Sequence, residues 1–277
     1  MRIGMHLPQT GRASGPESIH RAARRAEELG YADVWVSDHV VIPASQDYPK
    51  TSYIYDPILA LTWAAAVTSR VRLGTTVLVA PQHNPLWLAK ALASLDALSN
   101  GRLTVGVGVG WSEGEFQALG QPFHNRGART DEIIELWRAC WNEDPTSFTG
   151  KYYELSDLRV LPKPRHPIPI WVGGHADAAY QRAIEHGDGF HAIGLTPPQA
   201  RVLVDRLRQD RPEPEFVISL RTGWDAQGMD SSQIADEHAA FAESGIQHVV
   251  SVPWRTDIDA FMGSMEMLAD IIGLEAP

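Results

Sequence analysis

A single cysteine, Cys140, leaves the chain without any internal disulfide. Positive charge is also scarce. Against 34 Asp and Glu stand 24 Lys and Arg, a formal net charge of −10. A field of that sign repels nucleic acid and anionic membrane surfaces, so neither is an expected partner. An anionic ligand then has to be held by local backbone donors. No apolar run approaches the ~20 residues a membrane helix needs. No signal-peptide pattern opens the chain, since Met1-Arg2-Ile3-Gly4 leads straight into a strand. A soluble, cytoplasmic protein is expected. His6, His20, His39, His83, His124, His166 and His175 lack HxxxH spacing and the usual acids, so no metal site is expected. No GxSxG elbow offers a serine nucleophile. Cys140 falls on a helical pattern with Ile133, Ile134, Trp137 and Trp141, where it reads as a small buried apolar residue.

What is present is an ordinary globular composition: 277 residues, 44% hydrophobic, 21% charged, 23 Gly and 19 Pro. Arg2 to Pro8 reads as a short strand. Pro16-Glu17-Ser18 opens a helix whose apolar face is Ile19, Ala22, Ala23, Ala26 and Leu29, with Gly30 as its stop. Asp33 begins a second strand, Asp56-Pro57 a helix to Ser69, and Val71 to Val79 one continuous third strand. Asn84-Pro85 starts a helix to Leu98, followed by strand Leu103 to Val107 and helix Gly127 to Trp141. The stretch from Thr146 to Pro164 alternates like a hairpin and breaks the rhythm. The rhythm resumes with strand Ile168 to Val172 and helix Asp177 to His186, then Gly189 to Ile193 with Pro198 to Arg208. Glu215 to Leu220 with Ser231 to Glu243, and His248 to Val252 with Asp257 to Ile272, complete it. About eight strands, each followed by a helix, predict one (β/α)8 barrel over 1–277, with an excursion after the fourth unit.

Ser37-Asp38-His39 ends the second strand, and strand C-termini are where such barrels collect their chemistry. An acid beside a histidine suggests a general acid/base and a group to orient it, against the alternative of a capped turn. The loop that follows carries Tyr48, Tyr53 and Tyr55, the pattern of a lid or of an ordinary surface loop. Gly106-Val107-Gly108-Val109-Gly110-Trp111 fails as a dinucleotide fingerprint, because Trp111 and Glu113 stand where the third glycine belongs. Val172-Gly173-Gly174-His175-Ala176-Asp177 lies between a strand and a helix start. Its amides can converge on a phosphate at the positive end of the helix, unless Asp177 simply caps it.

Trp35 to His39, Leu73 to Val77, Asn84-Pro85, Ser99 to Arg102, Gly106 to Trp111, Arg126 to Asp131, Phe148 to Tyr153, Trp171 to His175 and Gly187 to Gly189 occur in order. Together they resemble the bacterial luciferase-like superfamily, and within it the coenzyme F420-dependent oxidoreductases. The resemblance implies a deazaflavin against a bulge at Thr76-Val77, often with a non-proline cis peptide, and its phosphate at Gly173-Gly174. It implies His39 as the catalytic residue. The cofactor contacts it implies are Asp38, Thr76, Val77, Val79, Val109, Gly110, Gly173, Gly174, His175, Ala176 and Asp177. Trp111, Tyr53 and Tyr55 are then expected to wall an apolar pocket for a small-molecule substrate. Several family members place a catalytic Glu where this chain has Trp111, which counts against sugar-phosphate oxidation. An FMN-dependent monooxygenase and a non-catalytic F420- or flavin-binding protein remain alternatives. A homodimer is expected through helices 57–69 and 85–98, with Leu59, Trp63, Trp87, Leu88, Leu92 and Leu95 as surplus apolar surface.

Overall fold

Short, largely apolar strands, most followed by a helix that opens on a polar cap or a proline, set the alternation of this chain. The computed structural model describes residues 1–276. The elements are β1 (Arg2–His6), α1 (Pro16–Glu28), β2 (Asp33–Val36), α2 (Pro57–Ala65), β3 (Arg72–Thr75), β4 (Leu78–Val79), α3 (Pro85–Leu98) and β5 (Leu103–Gly108). There follow α4 (Glu113–Ala118), α5 (Arg126–Asn142), β6 (Thr146–Thr149), β7 (Glu154–Leu158), β8 (Ile170–Gly173), α6 (Asp177–His186), β9 (Gly189–Ile193) and α7 (Pro197–Asp210). The last are β10 (Val217–Thr222), α8 (Ser231–Glu243), β11 (His248–Ser251) and α9 (Ile258–Ile272).

The parallel strands run β3-β2-β1-β11-β10-β9-β8-β5-β4, and an added β3–β5 pairing closes the ring. With β4 continuing the place of β3, this is the expected eight-position (β/α)8 barrel. The excursion after the fourth unit is also found, as the antiparallel hairpin β6–β7. Its tip is tied to α5 by Glu132, whose carboxylate accepts the backbone N–H groups of Lys151, Tyr152 and Tyr153 at 2.6–2.9 Å.

Local chemistry explains the helix starts. Asp56 accepts the N–H of Leu59, Asn84 that of Trp87 and Asp257 that of Ala260, each at 2.9 Å. Such a cap contributes about 1 kcal/mol. The inward stripes then pack on the barrel: Ile19, Ala22, Ala23 and Ala26 of α1, and Leu88, Ala89 and Leu92 of α3, are fully or almost fully buried. Truncating one such leucine to alanine costs about 2–5 kcal/mol. Cys140 sits in this core at 0% exposure, as its helical pattern predicts.

Three expectations need correction. Val71 to Val79 is not one strand. From Gly74 to Leu78 the chain advances four residues, while its partner β5 advances three, from Thr104 to Val107. The extra residue is a bulge that divides β3 from β4, and the Thr76-Val77 peptide within it is cis. A short helix, α4, that the apolar periodicity did not suggest stands before α5. Leu88, Leu92 and Leu95 are buried core, not spare surface; only Leu59, Trp63 and Trp87 of that set are exposed. Among the described residues, no helix is long and apolar enough to cross a membrane.

Candidate active site

The C-terminal ends of β1, β2, β3, β5, β8 and β10 meet at one mouth of the barrel. There, successive side chains of the extended Ser37-Asp38-His39 segment leave in different directions. Asp38 is 4% exposed, and its Oδ2 accepts the Val79 N–H at 2.9 Å and lies 2.8 Å from His83 Nε2. Its Oδ1 is buried without a hydrogen-bond partner. Burial pulls the His83 imidazole down, but the Asp38 carboxylate outweighs it and holds its pKa above the usual value.

His39 turns the other way. Its Nδ1 lies 3.1 Å from Oε2 of Glu115, a residue of α4 that is only 1% exposed. The Glu115 Oε1 accepts the N–H groups of Val40 at 2.8 Å and Val41 at 3.3 Å. Burial pushes the Glu115 carboxyl up, and the contacts to His39 and Val40 overcome this and hold it below its usual range. An ionised carboxylate can only accept, so Nδ1 of His39 carries a hydrogen and Nε2 is the nitrogen free to exchange a proton. The orienting acid is therefore Glu115, not the adjacent Asp38.

Among the residues expected at the cofactor, Asp38 is bonded to Val79 and Val77 lies against Gly173. A β-carbon at Gly173 would lie 2.7 Å from Val77 Cγ1, and one at Gly108 only 2.5 Å from Val77 Cγ2, so Val77 stands between the ends of β5 and β8. Val109 follows β5, and Gly110 takes φ 77° just before Trp111. Gly174 takes φ 150°, and no side chain caps α6. Asp177 instead pairs with Arg206 at 2.8 Å, so the cap reading of that residue fails and its neighbours' amides stay open to an anion. His175 and Ala176 are exposed beside it.

With Tyr48 added, the aromatic residues expected at a pocket fall into two pairs. Trp111, 51% exposed, packs edge-on to His39 and against Tyr48, with ring centres 6.1 and 5.9 Å apart. Tyr53 and Tyr55 hydrogen-bond to each other at 3.0 Å, over a segment whose backbone joins the loop after β1.

Sequence reasoning missed Glu115, His83, Arg221 and His6 at this mouth, and placed Tyr48 only in a lid-like loop. Arg221, at the end of β10, donates to the Thr76 carbonyl at 3.2 Å and lies 5.3 Å from the Trp254 ring centre. His6 Nδ1 donates to the Leu7 carbonyl and its Nε2 meets Ser37 Oγ at 2.9 Å. Ser112-x-x-Glu115 was the one readable signal, a capping-box pattern that marks a helix start.

Burial, aided by Arg221, lowers His6 from 6.5 to about 3. Burial, with His248 and Arg221 nearby, lowers His191 from 6.5 to about 3. Between those limits the unfolded chain binds protons that the folded protein refuses. Stability is therefore expected to be full above pH 6.5 and to fall towards pH 3, by up to ~1.4 kcal/mol per pH unit for each ring. Calorimetric melting across that range checks this, and His191→Gln should flatten the slope. An equal slope in the variant contradicts it.

The sequence as a whole places these residues in company. A family model for luciferase-like monooxygenases matches residues 1–259. The chain is 37% identical over 183 residues to an F420-dependent glucose-6-phosphate dehydrogenase of Amycolatopsis mediterranei, covering 64% of this chain. That match spans about half of the relative's length, 53%. An uncharacterized protein of Mycobacterium tuberculosis is 31% identical over 94% of this chain and 95% of its own. The solved monooxygenase of Streptomyces bottropensis superposes with a TM-score of 0.81 over 98% of both chains, at 22% identity. That likeness speaks for the fold alone.

Proposed function

The chain belongs to the luciferase-like monooxygenase family, and on that premise we propose that it is a coenzyme F420-dependent oxidoreductase. It moves a hydride between the deazaflavin and a small organic substrate. The observation that carries this reading is the Glu115–His39 pair, set beside an Asp38 oxygen that is buried and unpartnered. A buried carboxylate oxygen without a donor costs about 1–3 kcal/mol unless a ligand supplies one. The residues fit such a ligand: Asp38 Oδ1 would accept from a ring N–H or O–H, Thr76 and Val77 would form a shelf, and Gly173 and Gly174 would offer amides to a phosphate. The relatives named F420-dependent glucose-6-phosphate dehydrogenases support the choice of cofactor.

When bound, the deazaflavin supplies the hydride carrier at its ring carbon. The chain supplies the rest. Glu115 holds the His39 ring with Nδ1–H towards itself, and Nε2 of His39 takes or returns the substrate proton. Trp111 and Tyr48 present apolar faces at the mouth, with Tyr53 and Tyr55 further along the loop, and exclude water from a substrate that is itself partly apolar. An exposed indole at position 111, in place of an acid, argues for a substrate other than a sugar phosphate.

Titrating the purified protein with F420 and FMN side by side tests this. Tight F420 binding is expected, with reduction of the bound F420 by an organic donor or of an organic acceptor by its reduced form. Binding of FMN alone, with oxygen consumption, would replace it by flavin monooxygenation, and bound cofactor that no acceptor turns over would leave a carrier.

The protein is further proposed to act as a homodimer through α2 and α3. Leu59, Trp63 and Trp87 are 70%, 46% and 55% exposed along these two adjacent helices. Light scattering at micromolar concentration is expected to give twice the 30.5 kDa of one chain; a monomer mass would reject it.

A further inference from the structure

Five polar side chains cross the interior of the barrel in an unbroken line. We propose that Asp33, His248, Ser219, His191 and Thr76 form a proton relay, with the Asp33–His248 pair as its store and the Thr76 hydroxyl as its outlet at the bulge. His248 Nε2 lies 2.9 and 3.0 Å from the two Asp33 oxygens, and its Nδ1 lies 2.7 Å from Ser219 Oγ. Ser219 Oγ lies 2.8 Å from His191 Nδ1, and His191 Nε2 lies 2.9 Å from Thr76 Oγ1. All five residues are at most 5% exposed.

Sheet register builds the line. Ser219 is paired with His248 on one side and with His191 on the other, so three neighbouring strands turn these side chains inward at one level. Asp33 reaches His248 across β1 only because residue 4 is glycine; a β-carbon there would lie 1.9 Å from Asp33 Oδ1. Trp35 Nε1 donates to Asp33, and its indole stacks on His191 with ring centres 5.3 Å apart and planes 7° from parallel. Trp171 closes on His248 at 5.1 Å. The surrounding charges are Arg2 and Arg72, facing Asp33, and Arg221, facing His191. Burial raises the Asp33 carboxyl, but His248 and the Trp35 N–H prevail and keep it ionised.

Such a line has two registers. With neutral His248 donating Nε2–H to Asp33, Ser219 donates to His248, His191 Nδ1–H to Ser219, and Thr76 to His191 Nε2. A proton arriving at Thr76 Oγ1 from the ligand reverses all of them. Thr76 gives its former hydrogen to His191 Nε2, His191 gives Nδ1–H to Ser219, and Ser219 gives its hydroxyl hydrogen to His248 Nδ1. One proton has left the ligand, one imidazolium has formed beside Asp33, and His191 is neutral at both ends of the exchange. Thr76 is a hydrogen-bond acceptor towards the mouth in the first register and a donor in the second.

Only the identity of the ligand at Thr76 rests on the F420 reading; the relay is tested without it. In 15N-histidine NMR of the ligand-free protein, Ser219 allows one and only one of the two Nδ1 atoms, of His191 or His248, to carry hydrogen. That complementarity is expected wherever His191 stays neutral, well above pH 3, and in Asp33→Asn. Spectra with both or neither protonated overturn the relay. Ser219→Ala should abolish the correlation and Ser219→Thr restore it. With F420 bound, Ser219→Ala, which touches nothing at the mouth, should slow single-turnover hydride transfer about tenfold or more at unchanged affinity, the low end for losing a proton path. An unchanged rate would reduce the line to a static brace and overturn the proposal.

Discussion

His39→Ala is expected to slow hydride transfer by about two orders of magnitude or more, the scale for removing a positioned acid or base. Cofactor affinity should stay within about tenfold, because the groups proposed to hold the cofactor lie on Asp38, the bulge and the Gly173-Gly174 loop. The fold should survive, since Glu115 keeps the Val40 and Val41 amides when the imidazole is gone. Some rate should persist from proximity alone, as hydride transfer needs no histidine. Melting temperature, affinity and single-turnover rate measured on one preparation separate the roles. A normal rate across the working pH range would remove His39 from the chemistry, whereas a lost melting temperature with a normal rate would make it structural.

Gly174→Asp is expected to weaken cofactor binding by roughly a hundredfold or more, equivalent to losing two charge-assisted hydrogen bonds. Two effects combine. The backbone at φ 150° disfavours any side chain, and a β-carbon would lie 2.7 Å from Ala179 Cβ. The added carboxylate would also stand at the positive end of α6, where it repels phosphate. Gly174→Ala carries the steric part without the charge and should lose less. Fluorescence titration of F420 with each folded variant makes the comparison. Unchanged affinity in Gly174→Asp would place the phosphate elsewhere.

Much of the barrel is legible in one sequence because the strands are short and largely apolar and most helices open on a polar cap or a proline. The bulge was not. Arg72 to Val79 contains nothing that β-structure disfavours except Gly74, and the extra residue becomes visible only against β5. Adjacency misled at the site. Asp38 and His39 look like partners in the chain, yet neighbours in an extended backbone diverge, so each finds its mate some 45 to 76 residues away. Glu115 was hidden in a helix of six residues interrupted by Gly114, too short for an apolar period to show. Asp33, His191, Ser219 and His248 each read as one polar letter in an apolar strand. Only inter-strand register, which no local pattern encodes, brings them into line.

Glu115 grips two things at once, the His39 ring and the first amides of the loop beyond it. Further along, Ser112 holds Gln46 at 2.7 Å, which leaves the stretch from Asp47 to Tyr53 outside both anchors. The loop is thereby divided into a base held at two points and a tip that carries Tyr48 against Trp111. The rings of that tip can be changed without touching the contact between Glu115 and the His39 imidazole. A graft cut between residues 47 and 53 leaves the Glu115 contacts in place, whereas one cut before Val40 replaces the residues whose amides Glu115 holds.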